Sequence, residues 1–156
     1  MSNINWPDPS TLSRIPGQNS RLPAKIYKVR DGDTVEAIVQ FPSSEFCKVI
    51  IRLSGIDTPE LRPRKNCKHR SLQRQAANLI TSYLENLILN IECTVILYSY
   101  GLYSGRMIGD IIINDAEKEI NITSHLIKEG LAKEYKNVRV PWTAEELNFI
   151  VSKLES

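Results

Sequence analysis

From Ala24 to Glu60 the chain reads AKIYKVRDGDTVEAIVQFPSSEFCKVIIRLSGIDTPE. Apolar and polar residues alternate through much of it, the period of two that sets a strand between core and solvent. Three strands are expected. Residues 24–30 run into Asp31-Gly32, a dipeptide favoured in tight hairpin turns. A second strand reaches about Phe41, with Val35, Ala37, Val39 and Phe41 alternating against Glu36 and Gln40, and Pro42-Ser43-Ser44 breaks it. Residues 46–54 form the third, with Cys47, Val49, Ile51 and Leu53 on one face and Lys48, Ile50 and Arg52 on the other.

Downstream the period becomes helical. Leu72, Ala76, Leu79, Ile80, Tyr83, Leu84, Leu87 and Ile88 predict one buried stripe on a helix over 71–88. Two strands follow at about 91–99 and 105–113, separated by Tyr100-Gly101 and Ser104-Gly105. Thr123 is placed to cap a short helix over 124–129, which Gly130 ends in a left-handed cap. Thr143 and Glu146 form a capping box for the last helix, Trp142 and Leu147 its hydrophobic staple, and Leu147, Ile150, Val151 and Leu154 its buried stripe. Upstream, residues 1–20 are polar, with Pro7, Pro9 and Pro16 and no periodicity. They read as a flexible lead-in to one domain over 21–156. Five strands, a helix between the third and fourth and helices after the fifth make an α+β chain. An antiparallel sheet with this order of elements can close as an OB-type barrel.

Composition narrows the function classes. The chain has 156 residues, 42% of them hydrophobic, enough for a core and against wholesale disorder. No window approaches the ~18 apolar residues of a membrane span. The first thirty residues hold no apolar run with a small-residue cleavage site, so an intracellular location is expected. Cys47, Cys67 and Cys93 are odd in number and widely spaced, a poor disulfide framework. Cys67 and His69 lack a second ligand pair at zinc-finger spacing. G-x-S-x-G, P-loop and G-x-G-x-x-G motifs are absent. The net charge of +2 hides an asymmetry: residues 21–74 carry +6 and residues 75–156 carry −4. Arg62, Arg64, Lys65, Lys68, Arg70 and Arg74 crowd into 61–74 without one acid. Such a stretch can hold a polyanion, although a solvated loop and helix start is the commoner meaning of a basic run.

Two carboxylate clusters stand at strand ends, Asp31-Gly32-Asp33-Thr34 and Asp57-Thr58-Pro59-Glu60. Each alone is ordinary turn chemistry. Brought to one end of the sheet, Asp33 and Asp57 would offer two hard oxygens to Ca²⁺ or Mg²⁺. Arg52 and Arg106 are the natural cations to join them, since a guanidinium fork holds a phosphate through two hydrogen bonds. If these groups converge, they make a phosphodiester site.

Four segments, VRDGDTV (29–35), IRLSGIDTPE (51–60), SGR (104–106) and LIKEGLA (126–132), stand in the order found in the staphylococcal nuclease, or thermonuclease-like, family. The chain resembles that family over about residues 24–135. The resemblance implies an OB-type five-stranded antiparallel β-barrel with three α-helices. It implies a calcium-dependent endonuclease that acts on DNA and RNA with little sequence preference and leaves 3′-phosphates. Asp33 and Asp57 match the family's calcium-binding aspartates, and Thr58 the residue that binds calcium through its carbonyl. Glu60 matches the glutamate cast as general base or as the group orienting the attacking water. Arg52 and Arg106 match the arginines on the scissile phosphate. Arg62, Arg64, Lys65, Lys68 and Arg70 are expected to bind nucleic acid, with Tyr135 as a further contact to sugar or base. Tyr103 and Ser104 stand where the best-known member has a lysine and a tyrosine that bind a terminal phosphate, so end preference is expected to differ. A monomer without membrane association is expected. The competing reading is a nucleic-acid-binding OB module without turnover, for which the basic stretch and Tyr98, Tyr100 and Tyr103 would suffice. The intact set Asp33, Asp57, Glu60, Arg52 and Arg106 favours the enzyme.

Overall fold

The computed structural model describes residues 3–101 and 105–155. Three strands follow one another as the alternation predicts: β1 (Arg21–Asp31), β2 (Thr34–Gln40) and β3 (Phe46–Leu53). After a two-residue strand β4 (Ile56–Asp57) come helix α1 (Arg70–Ile88) and strands β5 (Glu92–Tyr100) and β6 (Met107–Asp115). The remainder is β7 (Lys118–Asn121), α2 (Ile122–Lys128), β8 (Lys133–Glu134) and α3 (Ala144–Glu155). A 3-10 turn at Pro9–Thr11 precedes them.

The sheet runs β3-β2-β1-β5-β6-β7, and β3 also pairs with β6. That second pairing closes β1, β2, β3, β5 and β6 into the OB-type barrel of an α+β fold. The closing pair is parallel, matching Ile51 to Met107, Arg52 to Ile108 and Leu53 to Gly109, while the other pairs are antiparallel. Val35, Ala37, Val39, Ile51 and Leu53 point into the core with no exposed surface. Bulges interrupt β1 after Ile26 and Val29, and β5 after Leu97. They let the strands coil tightly enough to close.

Helix α1 packs on β1 and α3. Its buried face is Gln73, Ala76, Ala77, Ile80, Leu84 and Ile88, turned from the predicted stripe so that Leu72, Leu79 and Leu87 are half-covered. A polar residue, Gln73, takes a buried place because it has partners there. Asn121, not Thr123, caps α2 and accepts from Ser124 N at 3.2 Å. Thr123 instead donates to Asp110. The capping box of α3 forms as predicted: Thr143 N donates to Glu146 Oε1 at 2.9 Å and Glu146 N to Thr143 Oγ1 at 3.1 Å. The β6–β7 hairpin was not expected; its turn residues Ala116 and Glu117 adopt positive φ without the Asn-Gly signature.

The hydrophobic body reaches back into the stretch read as a lead-in. Trp6 is 76% exposed, but Ile15 is 2% exposed. Gln18 Nε2 donates to Tyr98 O and Asn19 N to Leu97 O. Among the described residues no helix is long and apolar enough to cross a membrane. Tyr103 and Ser104, with the start of the turn expected there, lie outside the described residues.

Candidate functional site

The first hairpin meets the segment that follows β4 at Gly32. A Cβ on that residue would stand 2.7 Å from Thr58 Oγ1 and 2.9 Å from Ile80 Cγ2. Only the missing side chain lets the two carboxylate clusters approach each other and α1. Leu53 N donates to Asp33 O at 2.8 Å, which fixes the end of β3 to the same turn. Asp31 Oδ1 accepts from Asp33 N at 3.1 Å, an Asx turn that shapes the hairpin tip.

Around this junction lies a cleft of about 510 Å³ lined by Asp31, Asp33, Arg52, Asp57, Thr58 and Glu60, with Arg30, Arg62, Arg106 and Arg139 at its cationic side. The six residues singled out by resemblance, Asp33, Arg52, Asp57, Thr58, Glu60 and Arg106, all line it. Arg52 donates from Nη1 to Leu53 O at 2.8 Å and from Nη2 to Ile56 O at 2.7 Å. Its Nη2 also stands 3.5 Å from Asp33 Oδ2. Arg106 Nη1 donates to Thr34 Oγ1 at 3.3 Å, and that hydroxyl donates to Asp33 Oδ1 at 2.9 Å. Two guanidiniums from opposite sides of the barrel seam are thus oriented by one Asp-Thr pair.

The carboxylates are crowded. Burial, and then the neighbouring Asp33 carboxylate, push Asp31 up to about 6. Burial also raises Asp57, with Asp33 adding to it and Arg139 and Arg52 opposing it. Asp57 is 7% exposed. Among the described residues no hydrogen bond to its carboxylate offsets that burial. A carboxylate on a largely buried residue, beside a second carboxylate, is a donor set that suits a hard cation. Thr58, also buried, sits next to it. Among the described residues no three His, Cys, Asp or Glu side chains form a complete metal cage.

Glu60 is held from two sides. Its backbone N–H donates to Gln73 Oε1 at 3.0 Å, and its carboxylate is ion-paired with Arg139. Neither Gln73 nor Arg139 was singled out from the sequence. Gln73 falls on an apolar stripe, and a glutamine there is a visible anomaly. Arg139 is separated from Glu60 by 79 positions, and nothing local marks it.

The basic stretch is divided. Arg62 lines the smaller cleft, whereas Arg64 and Lys68 line a neighbouring cleft of about 800 Å³. Lys65 and Arg70 line neither, and Arg70 Nε donates to Pro63 O. Tyr135 also lines neither cleft; its N–H donates to Gly55 O at 2.8 Å, beside the β4–β8 pair.

Comparison with known proteins agrees with the fold. The family described as staphylococcal nuclease homologue matches residues 50–152, about two thirds of the chain. A protein of Methanocaldococcus jannaschii, described as uncharacterized, is 31% identical over 125 residues. The matched part is 71% of this chain and 58% of that relative, so the chain spans little more than half the relative's length.

Proposed function

This chain belongs to the family of staphylococcal nuclease homologues, and on that premise we propose that it is a calcium-dependent endonuclease of DNA and RNA that leaves 3′-phosphates. The observation that carries this reading is the convergence of Arg52, Arg106, Asp33, Asp57, Thr58 and Glu60 on one cleft. Pure binding has no need of a buried Asp57 and a half-buried Asp33 beside two oriented guanidiniums.

Asp33, Asp57 and the Thr58 carbonyl would hold Ca²⁺, which supplies Lewis-acid neutralisation of a non-bridging phosphate oxygen. Arg52 and Arg106 grip the same phosphate from the protein side. As water attacks, phosphorus becomes pentacoordinate and its oxygens gain charge. Two guanidiniums already fixed in place match that charge better than they match the ground state. Glu60, at the rim, orients the attacking water and takes its proton. The bond to the 5′-oxygen breaks on the opposite side, and that oxygen takes a proton from solvent in the open cleft to leave as a hydroxyl.

Incubation of supercoiled DNA and of RNA with Ca²⁺, Mg²⁺ or chelator is the direct test. Nicking with Ca²⁺ and none with chelator is expected, with Mg²⁺ a poor substitute because it demands near-ideal octahedral geometry that two turns do not impose. Equal activity with Mg²⁺ would overturn the calcium assignment. A nucleic-acid-binding module without turnover is the second reading. The Glu60–Arg139 ion pair favours it, because a carboxylate paired with a guanidinium is a poor base. Tight binding of DNA without product under every ion would select that reading.

A further inference from the structure

The larger cleft is assigned no role by the chemistry above. It holds about 800 Å³, inside the range of about 300–1,000 Å³ typical of small-molecule sites. Asp57, Thr58, Glu60 and Arg139 line both clefts, so the two are contiguous and the Glu60–Arg139 pair stands on their border. Its far wall is apolar, formed by Val140, Pro141, Trp142 and Ala144 at the entry to α3. Its rim is cationic, with Arg64, Lys68 and Arg139 exposed.

We propose that this cleft is a nucleoside subsite, which takes the base and sugar next to the scissile phosphate while its rim cations take the neighbouring phosphate. The proposal rests on the phosphodiester reading of the smaller cleft. Its own argument is complementarity. A free phosphate would leave the apolar wall uncovered. An apolar ligand would make no use of the Arg64 and Lys68 charges on the rim or of Arg139 beside them. A nucleotide unit presents a flat, weakly polar base to Val140 and Pro141 and an anion to Arg64, Lys68 and Arg139. A polynucleotide anchored by one phosphate in the smaller cleft brings the next unit to the border that the two clefts share.

The border pair gives this subsite a consequence for the reaction. Arg139 is exposed and faces Glu60 from a segment between β8 and α3. A phosphate on the rim competes with Glu60 for that guanidinium. Occupation of the subsite therefore releases the carboxylate that orients water. Short substrates that leave the subsite empty keep Glu60 paired.

Trp142 reports on the site directly. The chain has two tryptophans, so Trp6→Phe leaves Trp142 as the only one, and Trp6 is exposed. Val140 is 59% exposed, so Val140→Glu charges the wall without disturbing the core. The experiment titrates both proteins, in chelator, with trithymidylate and with three versions that each lack one base. A base that covers the apolar surface of Val140 and Pro141 removes it from water, which is worth roughly tenfold in affinity. One of the three abasic ligands is expected to bind at least about tenfold more weakly and to lose the change in Trp142 emission. In the Val140→Glu protein that base should cease to matter. Equal affinity for all four ligands, or a base dependence that survives Val140→Glu, overturns the subsite alone if DNA is still cleaved. Failure of any ligand to bind, with no cleavage, overturns the subsite and the nuclease reading together. Trp142 emission that follows protein concentration instead of oligonucleotide would assign the cleft to a second copy of the chain and overturn the proposal.

Discussion

Arg52 is a strand residue whose guanidinium has already been committed before substrate arrives. It donates to Leu53 O and Ile56 O across the turn from β3 to β4 and approaches Asp33. A lysine keeps the charge but has no planar fork to span two carbonyls and a phosphate. Arg52→Lys should therefore lose both function and stability. Turnover should fall by ~10²–10³, the usual effect of removing one preplaced donor to a developing oxyanion. Hydrogen bonds from a charged group are worth about 1.5–3 kcal/mol, so its melting temperature should fall measurably as well. For Arg106→Lys a turnover loss of the same order is expected. Rates, substrate affinity and thermal melts for both variants decide the matter, and near-normal turnover in folded Arg106→Lys would remove that arginine from the mechanism. The two arginines were legible as strand-end cations beside acidic turns. What Arg52 grips was not, because the grip depends on how the backbone turns at Gly55. Arg139 was invisible for a simpler reason: it meets Glu60 from 79 positions away, and charge spacing along the chain carries no information about such a pair.

At the scale of elements, α1 does more than cover the barrel. Through Gln73 it holds the backbone of Glu60, and Gln73 Nε2 reaches Cys67 Sγ at 3.3 Å. The loop from Glu60 to His69 is thus moored to the helix it precedes. Gln73→Leu keeps the volume and removes both bonds, leaving the Glu60 N–H without its partner. A destabilisation of about 1–3 kcal/mol is expected, with turnover falling about tenfold because the carboxylate's backbone is no longer fixed. Unchanged turnover beside a lowered melting temperature would confine Gln73 to folding. The same loop sets the salt response. Arg62, Arg64 and Lys68 line clefts, but Lys65 and Arg70 do not. Removing each of the first three should flatten the slope of log K against log salt by about 0.7–0.9. Lys65→Ala should leave it alone, and equal effects at all positions would mean a diffuse basic loop. Helix boundaries were readable from capping chemistry at α3, where Thr143 and Glu146 satisfy each other locally. They were less so at α2, where Thr123 is drawn away by Asp110 of β6.

The whole molecule depends on one seam. Alternation revealed which strands exist and which faces are buried, because burial imposes a period of two on each strand separately. It did not reveal that β3 and β6, far apart in sequence, would pair in parallel, since that choice is made by coiling of the complete sheet. Gly109 shows what the seam requires. It faces Leu53 across the closing pair, its carbonyl accepts from Ser54 N at 3.0 Å, and a Cβ there would stand 2.4 Å from Ile96 O. That obstacle is backbone and cannot swing aside. Gly109→Ala must push β6 away from β5 or from β3. Overpacking of this kind costs about 1–3 kcal/mol, roughly 2–4 °C per kcal/mol in melting temperature for a chain of this size. The functional effect should exceed the stability effect, because Arg52 lies in the seam opposite Ile108 and Arg106 immediately precedes it. Ile113→Val, which trims a buried methyl farther along β6, supplies the control, with an expected cost of about 0.5–1.5 kcal/mol. Assayed well below both melting temperatures, Ile113→Val should retain turnover and Gly109→Ala should lose most of it. If both variants keep full turnover, the phosphate grip does not depend on the seam, and the two arginines must be held in place by their local hydrogen bonds alone.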